Sequence, residues 1–170
     1  MIIRKATKAD IPTLVKFRFF YLLDDVGDLS RKQISQLNEQ LPDYFDRHID
    51  NDFTAYLAEE DGEVVSVIFY IRIEKPANTH FINGKTAVLM NVYTLANYRR
   101  KGIASAILKQ LIADAKAEGV TCIDLSATPM GKPLYIKNGF IARGNTETPP
   151  AWRPSVRRPS SAAAWQTASV

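Results

Sequence analysis

The residues best suited to chemistry form a basic turn just past the middle of the chain, Arg99-Arg100-Lys101-Gly102-Ile103-Ala104. The turn follows an apolar run and precedes an amphipathic segment. Glycine allows close backbone approach to a ligand, and the first amides of a helix have no partner within it. Amides at the positive end of a helix dipole bind phosphate groups. The turn therefore predicts a pyrophosphate site; a basic loop that only caps a helix on a solvated face is the alternative.

Apolar periodicity predicts the elements that must position this turn. The unbroken run at residues 87–95 is typical of a central strand buried on both faces. Residues 102–118 carry an apolar stripe and end at Gly119, which predicts a helix. A strand at 120–125, a short helix at 133–138 and a strand beginning at 140–142 are expected to follow.

The N-terminal half is predicted to supply two helices and a hairpin. A strand at residues 2–6 precedes a helix of about four turns, for which Thr7 and Asp10 offer a cap. A polar stretch at 24–28 ends that helix, and Ser30 caps a second helix that Pro42 is expected to break or kink. Asp61-Gly62 between two apolar runs is typical of a hairpin turn.

This order of elements predicts one α/β (α+β) domain over residues 1–143, with a mixed, mostly antiparallel central sheet flanked by helices. Residues 144–170 are rich in Pro, Ala and Ser and show no apolar alternation. They are predicted to form an irregular tail, so that a C-terminal strand is incomplete or irregular. The exposed sheet edge left by such a tail favours partial unfolding, strand exchange or a homodimer.

Composition excludes several classes of function. Three of the 22 basic residues lie in the tail, and the remaining 19 nearly balance the 18 acidic residues, so a nucleic-acid partner is not expected. No apolar run approaches the roughly 20 residues that span a bilayer, and the N-terminus has no signal-peptide character. We therefore expect a cytoplasmic protein without a membrane partner. No metal-ligand spacing is present, and a single cysteine, Cys122, cannot form an internal disulfide.

Two motifs resemble those of the GNAT-type N-acetyltransferases. The family's R/Q-x-x-G-x-G/A is matched by Arg99, Gly102 and Ala104, and its Y-x-x-x-G-F by Tyr135, Gly139 and Phe140. The predicted element order up to Ala142 is also similar. The resemblance implies a GNAT-like acyl-CoA N-acyltransferase fold, with acetyl-CoA as co-substrate and no metal.

The resemblance also implies which residues hold the coenzyme. The pyrophosphate would lie on the turn that Arg99 opens, against the amides of Arg100, Lys101, Gly102, Ile103, Ala104 and Ser105. The backbone of Val92, Tyr93 and Thr94 would pair with the pantetheine arm where the strand splays from its neighbour, leaving an N–H to polarise the acetyl carbonyl. Thr128 stands where the family frequently has Asn; its hydroxyl can bond a pantetheine carbonyl or cap a loop.

The implied reaction is direct attack of an amine on the thioester in a ternary complex. Tyr135 matches the family's usual general acid. No carboxylate lies between Ala87 and Leu95 to act as base, so Asn91 or Tyr93 is a candidate to hold a relay water. Asn91 at a strand bulge and Tyr93 in the core are the alternatives.

The acceptor, a small-molecule or peptide amine, is expected between the first two helices and the loop after Tyr70. Asp24, Asp25 and Asp28 would attract a cationic amine there, although ordinary turn chemistry explains them equally well. A CoA-binding regulatory module with little or no turnover is the alternative function.

Overall fold

The structure is a computed structural model that describes residues 1–79 and 81–142 and the backbone of residues 152–154. Its strands are β1 (Ile2–Lys5), β2 (Phe53–Glu60), β3 (Glu63–Glu74), β4 (Lys85–Thr94), β5 (Cys122–Leu125), β6 (Phe140–Ala142) and β7 (Trp152–Pro154). Its α-helices are α1 (Ile11–Val26), α2 (Arg31–His48), α3 (Ile103–Ala117) and α4 (Lys132–Lys137).

Strands β1 to β5 form one sheet in sequence order. Successive strands from β1 to β4 run antiparallel, and β5 runs parallel to β4. The parallel pair is joined by α3, since parallel strands need a crossover connection. The predicted mixed, mostly antiparallel sheet is confirmed.

The β2–β3 hairpin turns at the dipeptide that the sequence indicates. Glu60 pairs with Glu63, and Asp61 and Gly62 have φ of 53° and 82°. Positive φ at both central residues is the geometry of a type I′ turn, whose twist matches that of the strands. The predicted hairpin is confirmed.

Each face of the sheet carries its own apolar core, because neighbouring strand residues point to opposite faces. On one face, α1 and α2 cover Phe53, Leu57 and Phe69. On the other face, α3 covers Tyr56, Ile68 and the buried part of β4. The turn that begins α3 is thereby held at the end of β4.

Helix α2 continues through Pro42 to His48, so the predicted break at this proline is wrong. Leu41 and Phe45 are both buried, one on each side of Pro42. The Phe45 ring centroid lies 5.2 Å from that of Phe53 and 5.4 Å from that of Phe69. Burying two such side chains is worth about 3–6 kcal/mol, which offsets the roughly 3 kcal/mol cost of an internal proline.

Within residues 144–170, for which the sequence predicts an irregular tail, the structure describes one short strand. This strand, β7, pairs antiparallel with β6 and contacts β5. The sequence analysis did not predict it, because strand pairing here uses the backbone of only three residues and needs no apolar alternation. The rest of the segment lies outside the described residues, and the homodimer and strand exchange stay predictions.

Candidate active site

The basic turn has the backbone shape of an anion cradle. Arg100 and Gly102 both adopt left-handed conformations, with φ of 65° and 82°, and Gly102 is the N-cap of α3. A Cβ added to Gly102 would have no atom within 4 Å. Packing within the protein therefore does not require a glycine here. The left-handed backbone favours one, and it leaves open space above the turn.

Six successive amides of this turn, from Arg100 to Ser105, have no hydrogen-bond acceptor within residues 1–79 and 81–142. The first bonded amide is that of Ala106, which donates to the Gly102 carbonyl oxygen at 3.0 Å. Unpaired amides at the start of a helix carry its positive partial charge. The residues predicted to hold a pyrophosphate are thus in one place and have free donors.

Arg99 uses its side chain to join the turn to two other elements. Its Nε donates to the Thr94 carbonyl oxygen at 2.9 Å, and its Nη2 lies 2.6 Å from Oδ2 of Asp24 in the last turn of α1. The Asp24 carboxylate raises the pKa of Arg99. One member of the predicted acidic cluster therefore anchors the turn to α1, a role that the sequence did not indicate.

Strands β4 and β5 separate at the point that the resemblance implies. Their last pair is Leu89 with Leu125, whereas β4 stays paired with β3 as far as Thr94. Met90, the residue after the last pair, is 39% exposed, although Leu89 before it is 3% exposed. Among the described residues, therefore, none pairs with β4 over residues 90–94 on the β5 side, and this edge could accept a strand-like ligand.

Asn91 lies at a β-bulge with φ of 52° and is 1% exposed. Its Oδ1 accepts from Nη1 of Arg18 at 3.3 Å, and its Nδ2 donates to the Phe17 carbonyl oxygen at 3.4 Å. Both bonds tie the bulge to α1. The structure therefore shows how Asn91 supports the bulge, while its catalytic role stays a prediction.

Tyr93 belongs to an aromatic cluster with α1. Its ring stacks on Phe20 at 5.9 Å and meets Phe17 edge-on at 6.1 Å. The Arg99 guanidinium lies 5.2 Å from the Tyr93 ring centroid. These contacts agree with a packing role for the side chain of Tyr93.

Tyr135 is 6% exposed and its ring packs edge-on against Phe140 at 5.9 Å. Its hydroxyl has no hydrogen-bond partner in the part of the chain that the structure describes. Burial raises the pKa of Tyr135 above its usual value, and the nearby Tyr21 adds to the increase. The phenol is therefore held protonated, as a general acid must be.

Helix α4 places Tyr135 through contacts at both of its ends. The Thr128 hydroxyl accepts from the Gly131 amide at 3.1 Å, so Thr128 does cap a loop. Its own proton remains free to donate, which is compatible with a pantetheine contact. At the other end, the Asn138 amide bonds Ser105 Oγ at 2.7 Å and so joins α4 to the start of α3.

Three residues of this region were not predicted from the sequence: Arg18, Tyr21 and Asn138. Asn138 precedes the glycine of the second motif, and its spacing from Tyr135 was the available signal. Arg18 lies between Phe17 and Phe19, within the mostly apolar stretch that runs from Phe17 to Leu23. A charge at such a position was a signal that the side chain has a partner outside its own helix.

Comparison with known proteins identifies the family. The acetyltransferase (GNAT) family model matches residues 22–140, and the chain belongs to this family. The resemblance inferred from the two motifs is confirmed. No curated protein sequence matches the chain.

Solved structures share the fold. A predicted acetyltransferase with acetyl-CoA from Clostridium acetobutylicum is 29% identical, with a TM-score of 0.74 over 86% of this chain and 91% of that chain. A GCN5-related N-acetyltransferase from Ralstonia eutropha is 21% identical, with a TM-score of 0.73 over 87% of this chain and 97% of that one. A ribosomal-protein-alanine N-acetyltransferase from Brucella melitensis is 18% identical, with a TM-score of 0.64 over 87% and 98% of the two chains.

Family membership establishes acetyl transfer as the general activity, and the family uses acetyl-CoA. The described residues contain no group of His, Cys, Asp or Glu side chains that could hold a metal ion. None of the described helices combines the length and apolar character that crossing a bilayer requires.

Proposed function

We propose that this protein transfers the acetyl group of acetyl-CoA to a primary amine of a small molecule or peptide, by direct attack within a ternary complex. The observation that carries the proposal is the row of six unpaired amides from Arg100 to Ser105, placed at the end of a strand whose edge is open. A diphosphate fits these donors, because both the amides and the helix dipole favour an anion. The Val92–Thr94 edge of β4 is then in line to bond the coenzyme's amide arm.

Acetyl-CoA, when bound, supplies an activated thioester. The β4 bulge at Asn91 interrupts regular pairing next to the opening, so backbone donors of this segment are available to a carbonyl oxygen. One preorganised donor of this kind is worth about 3–4 kcal/mol of barrier. It acts best in a site from which water is excluded.

Tyr135 donates the proton that the departing sulfur needs. Its pKa is raised by burial, and the pKa of a thiol rises in the same surroundings, because both groups become anions on losing a proton. The pKa values of the phenol and the thiol therefore rise together, so that the phenol can still donate its proton to the departing thiolate. A positioned acid contributes about 10²- to 10⁴-fold to the rate.

The proton of the incoming ammonium leaves through a water at Asn91 or Tyr93. The Asn91 Oδ1 that accepts from Arg18 has a second lone pair for such a water. A relay of this kind replaces the strand carboxylate that the chain lacks from Ala87 to Leu95.

The test measures thiol release from acetyl-CoA against a panel of primary amines, with mass spectrometry of the N-acetylated product. We expect amine-dependent thiol release with one acetyl group transferred per thiol. Calorimetry with CoA on the same protein is the companion measurement. Tight CoA binding with no product for any amine would support the regulatory alternative, which no observation in this structure favours.

A further inference from the structure

The Arg18 guanidinium contacts Asn91 of the candidate active site and forms no ion pair within residues 1–79 and 81–142. The side chain is half-buried on α1, and its one hydrogen bond to the part of the chain that the structure describes joins Nη1 to Oδ1 of Asn91 at 3.3 Å. Its guanidinium lies 5.5 Å from the Tyr21 ring centroid. No Asp or Glu oxygen of the described residues lies within 4.0 Å of it.

Other arginines of the chain are compensated differently. Arg4 pairs with Asp10 at 2.7 Å and with Glu59 at 2.6 Å, and Arg99 pairs with Asp24 at 2.6 Å. Arg18 instead loses hydration to its surroundings, and this burial lowers its pKa. A guanidinium has five N–H donors, so most of those on Arg18 remain available to a ligand.

The position of this cation relates it to the acceptor. Asn91, which Arg18 contacts, lies two residues beyond the last β4–β5 pair. Tyr21 lies one helical turn after Arg18, its ring contacts the Arg18 guanidinium, and its charge adds to the raised pKa of Tyr135. Arg18 thus lies on the α1 side of the opening, where an amine must approach the thioester.

We infer that Arg18 binds a carboxylate of the acceptor, so that the substrate is an amine carrying a carboxylate a few bonds away, as in an α-amino acid. This inference rests on the proposed acetyl transfer. A guanidinium presents paired N–H groups that match a carboxylate in two parallel bonds. The single negative charge of a carboxylate balances the charge of Arg18. A phosphate ester carries a second negative charge, which the nearby Asp25 would repel, since Asp25 acts on Arg18 electrostatically.

The experiment compares α-amino acids with the matching α-amino amides as acceptors. Because the amine of an amide has a lower pKa, rates are expressed per concentration of neutral amine. We expect kcat/KM to be about 10- to 100-fold higher for the acids, from the strength of hydrogen bonds between charged groups. Arg18→Gln should remove this preference, so that acids and amides react at similar rates; the lost Asn91 contact should slow both kinds of acceptor by the same factor.

Two further variants make the comparison specific. Arg47→Gln removes the same charge from an exposed position of α2 and should retain the preference. Arg18→Lys keeps the charge without the paired donors and should show an intermediate preference. It also serves if Arg18→Gln does not fold, which thermal unfolding followed by circular dichroism reports.

Equal rates for acids and amides, or a preference that survives in Arg18→Gln, would overturn the inference while leaving acetyl transfer intact. If no amine is acetylated, the proposed function fails, and binding decides the inference separately. Calorimetry in the presence of CoA then compares N-acetyl amino acids with N-acetyl amino amides. Tighter binding of the acids that Arg18→Gln abolishes supports the carboxylate site; no difference refutes it.

Discussion

Replacing Tyr135 with Phe should slow catalysis and leave the free protein at least as stable. The substitution removes one oxygen and keeps the ring that packs against Phe140. Since the hydroxyl has no partner among the described residues, no protein hydrogen bond is lost. If Tyr135 is the general acid that we propose, the reaction depends on this hydroxyl and the fold does not.

The expected magnitudes follow from this environment. A buried hydroxyl without a protein partner costs up to about 1–3 kcal/mol of desolvation, part of which solvent recovers at a residue that is 6% exposed. We therefore expect the free energy of unfolding of Tyr135→Phe to be unchanged or up to about 1 kcal/mol higher. The loss of a general acid should lower kcat by about 10²- to 10⁴-fold.

Tyr56→Phe is the matched control. Tyr56 is 1% exposed, and its hydroxyl donates to Oδ2 of Asp114 at 2.9 Å, on the α3 face of the sheet. Losing a bond to a carboxylate that Lys5 also contacts should lower the free energy of unfolding by about 1–2 kcal/mol. Its kcat should be unchanged.

Urea unfolding, steady-state thiol release and CoA calorimetry together test this reasoning. The two variants should have opposite effects. Tyr135→Phe should lose turnover and keep its stability, whereas Tyr56→Phe should lose stability and keep its turnover. CoA affinity should be nearly the same in both variants and the wild type. A Tyr135→Phe variant destabilised as much as Tyr56→Phe, with normal kcat, would show that the hydroxyl is structural.

Three further predictions concern the turn, acid stability and the pH profile. Gly102→Ala and Gly62→Ala both place a side chain at φ of 82° in open space, and each should lower the free energy of unfolding in urea by about 1–2 kcal/mol. Calorimetry should show weaker CoA binding only for Gly102→Ala. Equal CoA affinities of the two variants would contradict the predicted phosphate site at this turn. Arg4 lowers the pKa of Asp10 to about 2, below its unfolded value, so this carboxylate stabilises the fold above about pH 4 and the benefit is lost as pH falls towards 2. Asp10→Asn should therefore cost about 1–2 kcal/mol at pH 7 and less than about 0.5 kcal/mol at pH 2, where about half of the folded molecules still carry the charge; an equal loss at both pH values would argue against the ion pair. As pH increases, kcat should rise because the amine loses its proton. Because burial raises the pKa of Tyr135, kcat should not fall again below about pH 10. A decrease of kcat between pH 8 and 9 would exclude Tyr135 as the general acid.

Local patterns were sufficient to predict much of this fold. The Asp61-Gly62 hairpin, the Ser30 cap and the helix after Gly102 are each specified by residues within a few positions of one another. The turn predicted to bind an anion is local in the same sense, since its amides belong to consecutive residues. Prediction failed at Pro42, where packing of Phe45 across the sheet outweighs a local rule.

The sequence by itself determined the family, the order of the elements and the two motifs, because these depend on short spacings along the chain. Only the tertiary structure brought Arg18 to Asn91 and Asp24 to Arg99, pairs separated by 73 and 75 residues. Such contacts depend on how α1 lies across the sheet, which the apolar pattern of α1 does not specify. The predicted coenzyme site is therefore formed by consecutive residues, whereas the proposed acceptor site is formed by packing of α1 on the sheet.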